Sequence, residues 1–182
     1  ALSILREAER DDAQLTGCSV LTGLGNYQGL LDSKSYLDYS SILDEAVALL
    51  TNDEGVRARL AERLKYVIVD EYQDVNPVQE AIVWSLHELG ARICVVGDDD
   101  QTIYQWRGSD VDNILTFAQR YPEVDQIPIE ENFRSSAGIV ETARPFIEQN
   151  GSRLQKAMKP TGVQPFDAGD IVALSFATPA EE

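Results

Sequence analysis

Tyr66-Val67-Ile68-Val69-Asp70-Glu71-Tyr72-Gln73-Asp74 is the stretch whose reading decides the fold. Four β-prone apolar residues in succession, ending abruptly at two carboxylates, read as a buried strand of a parallel sheet. Asn76-Pro77 then opens a helix, with Asn as the cap, Pro at the first helical position and Gln79 at the third. That helix ends near Gly90, and Arg92-Ile93-Cys94-Val95-Val96 repeats the buried-strand pattern before stopping at Gly97-Asp98. A strand–helix–strand succession of this kind means an α/β fold around a mostly parallel sheet.

Working outward toward the C-terminus, the pattern predicts a helix over 110–120 and a strand near Asp125–Ile129. A helix over 136–149 follows, turning Ile139, Val140, Ala143, Phe146 and Ile147 inward and ending at Asn150-Gly151. Residues 151–169 read as a loop and Ile171–Phe176 as a last strand. Toward the N-terminus, Asp38 or Ser40 caps a helix running to about Leu50, and a second helix spans about 54–64. Gly17, Gly23, Gly25 and Gly29 make 16–36 a loop or a short helix, and 1–15 reads as a polar helix end.

The whole chain has 182 residues, 43% of them hydrophobic and 25% charged, the balance of an ordinary globular protein. No apolar run approaches the ~18 residues of a membrane-spanning helix. The N-terminal residues show no charged-then-apolar leader pattern. Two cysteines, Cys18 and Cys94, form no disulfide framework, which fits a reducing, cytoplasmic compartment. With His87 as the single histidine, the composition argues against the common zinc sites; the residue reads as solvated, and Cys94, inside a strand, as core. The net charge is −16, and the excess is central: residues 65–135 hold 14 acidic against 5 basic side chains. Such a balance opposes a phosphate-backbone-binding surface, and reads either as solubility or as carboxylates that hold a divalent cation.

Ligands of open α/β sheets bind at the carboxyl ends of strands. Adjacent strands would set Asp70, Glu71 and Asp98 around one crevice, where one carboxylate can hold Mg²⁺ and a second can orient or deprotonate a water. The plainer reading makes them helix caps or turn residues. Beyond the second strand runs Gly97-Asp98-Asp99-Asp100-Gln101-Thr102-Ile103-Tyr104-Gln105-Trp106-Arg107-Gly108. In an extended segment Tyr104 and Trp106 point the same way. Beside Arg107 they form either a stacking platform for unpaired bases or part of the core.

These residues resemble a known family. Asp70-Glu71-Tyr72-Gln73-Asp74 resembles motif II of UvrD/Rep-like superfamily 1 DNA helicases, the run from Gly97 to Gly108 resembles motif III, and Glu131-Asn132-Phe133-Arg134-Ser135 resembles motif IV. Leu37-Asp38-Tyr39-Ser40-Ser41-Ile42-Leu43 is similar to the Asp-Phe-x-x-Leu stretch upstream of motif II. The resemblance covers roughly 36–182. It implies part of a RecA-like, parallel-sheet P-loop NTPase motor core with a helical N-terminal segment. Residues 1–35 would end an inserted helical accessory domain, 36–130 would be the second half of the first motor domain, and 131–182 would start the second.

The same resemblance implies the roles. Asp70 holds Mg²⁺, Glu71 activates the attacking water, and Gln101 senses the γ-phosphate of ATP. Phe133 packs on adenine, where the family often has Tyr, and Arg134 reaches the γ-phosphate. Tyr104 and Trp106 stack on single-stranded bases with Arg107 beside them. Phosphoryl transfer needs such positioning and charge compensation more than covalent chemistry. The implied activity is ATP-dependent translocation on single-stranded DNA, 3′ to 5′, with unwinding at duplex junctions. The setting is the bacterial nucleoid, and the partner is the rest of the helicase chain.

A P-loop, Gly-x-x-x-x-Gly-Lys-Ser/Thr, does not occur in the sequence. The chain therefore reads as an internal piece of a longer helicase, inactive in isolation. Two other readings stand beside it. One is a receiver-type phosphoacceptor domain, which needs a strand-end lysine that Lys65, Lys156 and Lys159 do not supply. The other is a non-catalytic module that keeps the helicase fold for binding.

Overall fold

The computed structural model describes residues 19–105, 108–167, 169 and 171–178. The expected helix end at 1–15 lies outside the described residues. The chain divides into two compact units, Ala1–Arg120 and Tyr121–Glu182.

The first unit starts with α1 (Ser19–Lys34), α2 (Tyr39–Asn52) and α3 (Glu54–Arg63). α1 replaces the loop or short helix expected at 16–36. Gly23, Gly25 and Gly29 sit where an added Cβ would meet nothing, so they are helical without being required by packing, and the buried Leu24 anchors the turn around them. Asp38, not Ser40, is the cap of α2: it accepts from the Ser41 amide at 2.8 Å, the Ser41 hydroxyl at 2.7 Å and the Tyr27 hydroxyl at 2.8 Å. Ser40 lies within the first turn and is buried. Asp53 ends α2 and caps α3, accepting from the Val56 amide.

β1 (Tyr66–Val69) and β2 (Arg92–Val95) pair in parallel, Tyr66 opposite Arg92 and Val69 opposite Val95. α4 (Pro77–Glu88) crosses between them and packs on α2 and β2. Its capping box is complete: the Gln79 amide donates to Asn76 Oδ1 at 2.9 Å and the Asn76 amide to Gln79 Oε1 at 3.0 Å. Gly90 closes the helix at a φ of +92°, a conformation glycine adopts without steric cost. The helix expected at 110–120 is split into α5 (Asp112–Leu115) and α6 (Phe117–Arg120). At the junction the Thr116 hydroxyl and amide both donate to the Asp112 carbonyl.

Parallel sheets are normally covered on both faces; among the described residues this one is covered on one. Val67, Val69, Ile93 and Val95 are half-buried, whereas Tyr66 and Ile68 on the alternate face are 69% and 74% exposed. Cys94 shares that open face and is exposed, which corrects its expected place in the core. The most buried apolar side chains lie outside the strands, among them Leu50, Tyr72, Val75, Val83, Ala91, Ile114 and Phe117. His87 is half-buried, its ring 5.5 Å from that of Trp84.

In the second unit, β3 (Glu131–Asn132) pairs in parallel with β4 (Lys159–Pro160), and α7 spans Ala137–Ile147. Neither strand expected here forms. Residues 125–129 and 171–176 have no strand pairing, and Ile127, Ile129, Val172 and Leu174 are exposed. β-prone runs become strands only where another backbone satisfies their N–H and C=O groups, and among the described residues none lies alongside. Within α7 only Val140 is buried; Ile139 and Phe146, expected inward, are exposed.

Candidate functional site

The two strand ends of the first unit are joined by backbone bonds that continue past the strands. The Val96 amide donates to the Val69 carbonyl at 2.8 Å, and the Tyr72 amide donates to the Val96 carbonyl at 2.9 Å. Between these bonds the chain turns sharply at Glu71, whose φ of 50° and ψ of 43° are left-handed. A non-glycine residue there costs of order 1–3 kcal/mol and persists only where its surroundings enforce it. The turn reverses the alternation of side chains. Asp70 and Glu71 stay exposed, while Tyr72 and Gln73, in a one-turn 3-10 helix, become fully buried.

Gln73 then links the two strand ends through its side chain. Its Nε2 donates to Glu71 Oε2 at 2.7 Å, and its Oε1 accepts from the Asp98 amide at 3.0 Å. Asp98 in turn caps the second 3-10 turn (Asp99–Gln101), accepting from the Asp100 amide at 3.1 Å and from Gln101 Nε2 at 2.7 Å. A continuous hydrogen-bonded run therefore joins Glu71, Gln73, Asp98 and Gln101. Asp70 Oδ1 accepts from the Glu71 amide at 3.0 Å, and Asp70 is exposed.

Electrostatics follow from burial and crowding. Burial, and then the Glu71 charge, push the Asp74 carboxyl above the usual carboxylate range. Burial pushes the Tyr72 phenol well above its ordinary value, and its hydrogen bond to Glu80 adds to this. Among the described residues no group of three or more His, Cys, Asp or Glu side chains makes a metal cage. A single exposed strand-end carboxylate still suits Mg²⁺, which usually takes one or two protein carboxylates and completes its shell with water and phosphate oxygens.

Tyr104 is 39% exposed in the segment after the second 3-10 turn. Trp106 and Arg107 lie outside the described residues. Phe133 and Arg134 belong to the second unit, both exposed, on a turn closed by Asn132 Oδ1, which accepts from the Arg134 amide at 3.0 Å and the Ser135 amide at 2.8 Å.

Gln73 carries no assigned role in the sequence motif, and Arg120 belongs to none of the motifs. The Arg120 guanidinium binds Glu80 and donates to the Asn113 carbonyl at 2.7 Å, and Asn113 Nδ2 donates to the Val75 carbonyl at 3.1 Å. These bonds fasten α5 and α6 to the turn that carries the site. Glu80, three positions before Val83 and buried with it on the inner face of α4, is the one signal that could have found the pair. A shallow groove beside α4, lined by Pro77, Glu80, Ala81, Trp84 and Arg120, includes none of the strand-end carboxylates.

Comparison with known proteins shows the family of the chain. Residues 5–122 match the family model of the UvrD/REP helicase N-terminal domain. The chain is 34% identical over 152 residues to the ATP-dependent DNA helicase PcrA of Staphylococcus aureus and to that of Staphylococcus epidermidis. The alignment takes in 84% of this chain and 21% of each relative, so the chain spans about one fifth of the length of the curated relatives it matches. The matched span carries both strand ends, the left-handed turn at Glu71 and the bridge through Gln73, and the chain belongs to the UvrD/Rep helicase family.

Proposed function

We propose that this chain is the portion of an ATP-dependent DNA helicase that carries the hydrolytic carboxylate and part of the single-strand binding surface. The observation that carries the reading is the run Glu71–Gln73–Asp98–Gln101, which ties an exposed carboxylate at one strand end to an exposed carboxamide beyond the other. Glu71 orients and deprotonates the attacking water. Gln101 senses the γ-phosphate of ATP. Asp70 would hold Mg²⁺, which supplies charge neutralisation of the phosphate oxygens. Phe133 packs on adenine and Arg134 compensates charge on the γ-phosphate. Tyr104, Trp106 and Arg107 stack on and hold unpaired bases.

In this reading the chain is part of a RecA-like, P-loop NTPase motor core. Residues 1–35 end an accessory domain, 36–130 belong to the first motor domain and 131–182 to the second. Further strands and helices of the parent would cover the open face carrying Tyr66, Ile68 and Cys94, as parallel sheets require. The parent translocates 3′ to 5′ on single-stranded DNA and unwinds duplex junctions. The isolated chain, without a phosphate-cradling loop of its own, turns over no ATP.

Two substitutions in the parent helicase test this. Glu71→Gln should keep ATP and single-strand binding and lose at least about 100-fold in hydrolysis, within the range set by loss of a general base. Trp106→Ala should weaken single-strand binding by about 1–3 kcal/mol, one stacked base, and leave DNA-free ATP binding unchanged. Hydrolysis near the parental rate in Glu71→Gln would refute the catalytic assignment.

A further inference from the structure

We infer that Gln73 is a positioning residue for hydrolysis: its buried carboxamide fixes the Glu71 carboxylate against the end of β2. The inference rests on the reading of Glu71 as the group that activates water. Three observations support it. Gln73 is only 1% exposed, one of two side chains buried so completely among the described residues, although a carboxamide is costly to bury without partners. Both ends of that carboxamide are used, the nitrogen on Glu71 and the oxygen on the Asp98 amide. The fit is also close. A Cβ on Gly97 would lie 2.7 Å from Gln73 Oε1 and 3.2 Å from the Tyr72 amide nitrogen, so the strand end next to Asp98 leaves no room for a side chain.

The chemistry selects this residue type. Glutamine offers one donating and one accepting group at the end of the same arm. Glutamate would keep an acceptor for the Asp98 amide but set a second carboxylate against Glu71. Asparagine would fall one methylene short. Methionine would keep the volume and lose both bonds. Glu71 sits on a strained left-handed turn and is exposed, and the Gln73 bond fixes its carboxylate oxygen to the buried frame. Asp98 extends the same frame to Gln101.

The test uses the full-length helicase, with steady-state ATP hydrolysis on single-stranded DNA, equilibrium binding of ATP and DNA, and thermal melting. Gln73→Glu and Gln73→Met should each lower kcat on the order of 10–100-fold, the cost of a misplaced catalytic group. KM for ATP and Kd for single-stranded DNA should stay within about twofold. In the Glu71→Gln background the Gln73 substitutions should lower residual hydrolysis no further, because the group they position is already gone. Unchanged kcat in Gln73→Glu, while Glu71→Gln is inactive, would overturn the positioning role and leave the assignment of Glu71 standing. Retained hydrolysis in Glu71→Gln would overturn both. Should Gln73→Met fail to fold, the isosteric Gln73→Glu decides by the same split. A parallel loss of ATP binding, DNA binding and kcat in that variant would assign Gln73 to folding alone and overturn the inference.

Discussion

Arg120 and Glu80 lie 40 residues apart in sequence and form an ion pair at the edge of the core. The Tyr72 hydroxyl donates to the other Glu80 oxygen, and its ring meets that of Phe117 edge to face, centroids 5.3 Å apart. The pair is partly shielded, with the Arg120 side chain 29% and the Glu80 side chain 11% exposed. One contact thus joins three segments: the turn after β1, α4 and α6. The residue next to Gln73 is held in the core by it.

Removing one partner strands the other. Arg120→Met should destabilise the first unit by about 2–3 kcal/mol, below the ~3–5 kcal/mol of a fully buried pair because water still reaches the guanidinium. Adding Glu80→Gln should recover part of that loss, since a neutral carboxamide can keep the Tyr72 bond without a partner charge. Urea midpoints of the wild type, both single variants and the double variant give the coupling directly. Additive losses would show that the two charges act independently.

Gly97, just after β2, lies against the turn that follows β1. A Cβ there would lie 2.7 Å from Gln73 Oε1, which the Asp98 amide holds, and 2.8 Å from Ile114 Cδ1. It would also lie 3.2 Å from the Tyr72 amide, which is bonded to the Val96 carbonyl and cannot retreat freely. Gly97→Ala should therefore cost about 1–3 kcal/mol by overpacking. Thermal denaturation checks it, and an unchanged midpoint would mean that the frame around Gln73 gives way easily.

In the second unit, Glu130 receives Lys159 Nζ at 2.6 Å and the Ala157 amide at 2.9 Å. The Lys159 hydrogen bond, then the Ala157 amide, lower the Glu130 carboxyl below its ordinary value. A carboxyl depressed in the native state stabilises that state above its unfolded pKa, and the contribution is lost as the pH falls through the native one. The β3–β4 pairing should accordingly loosen in acid. Side-chain carbon NMR across an acid titration should place Glu130 below an ordinary glutamate. Lys159→Met should return most of that shift, with the Ala157 amide keeping the remainder.

The sequence by itself determined β1, β2, the helix between them and its Asn76–Gln79 capping box, because each rests on neighbours a few residues apart. It also located the strand-end carboxylates and the motifs that place the chain in its family. Tertiary structure alone decided what depends on distant backbone. A run such as 125–129 has the composition of a strand and no partner, so its isoleucines stay exposed. Cys94 carries strand-core character but faces the side of the sheet that no described element covers. α1 forms across glycines that local preference would assign to a loop. Gln73 acquires its bridge only when Asp98, 25 residues later, is brought beside it by the parallel pairing of the two strands. Spacing along a chain encodes which residues share a strand or a helix turn; which strand end faces which is set by the sheet.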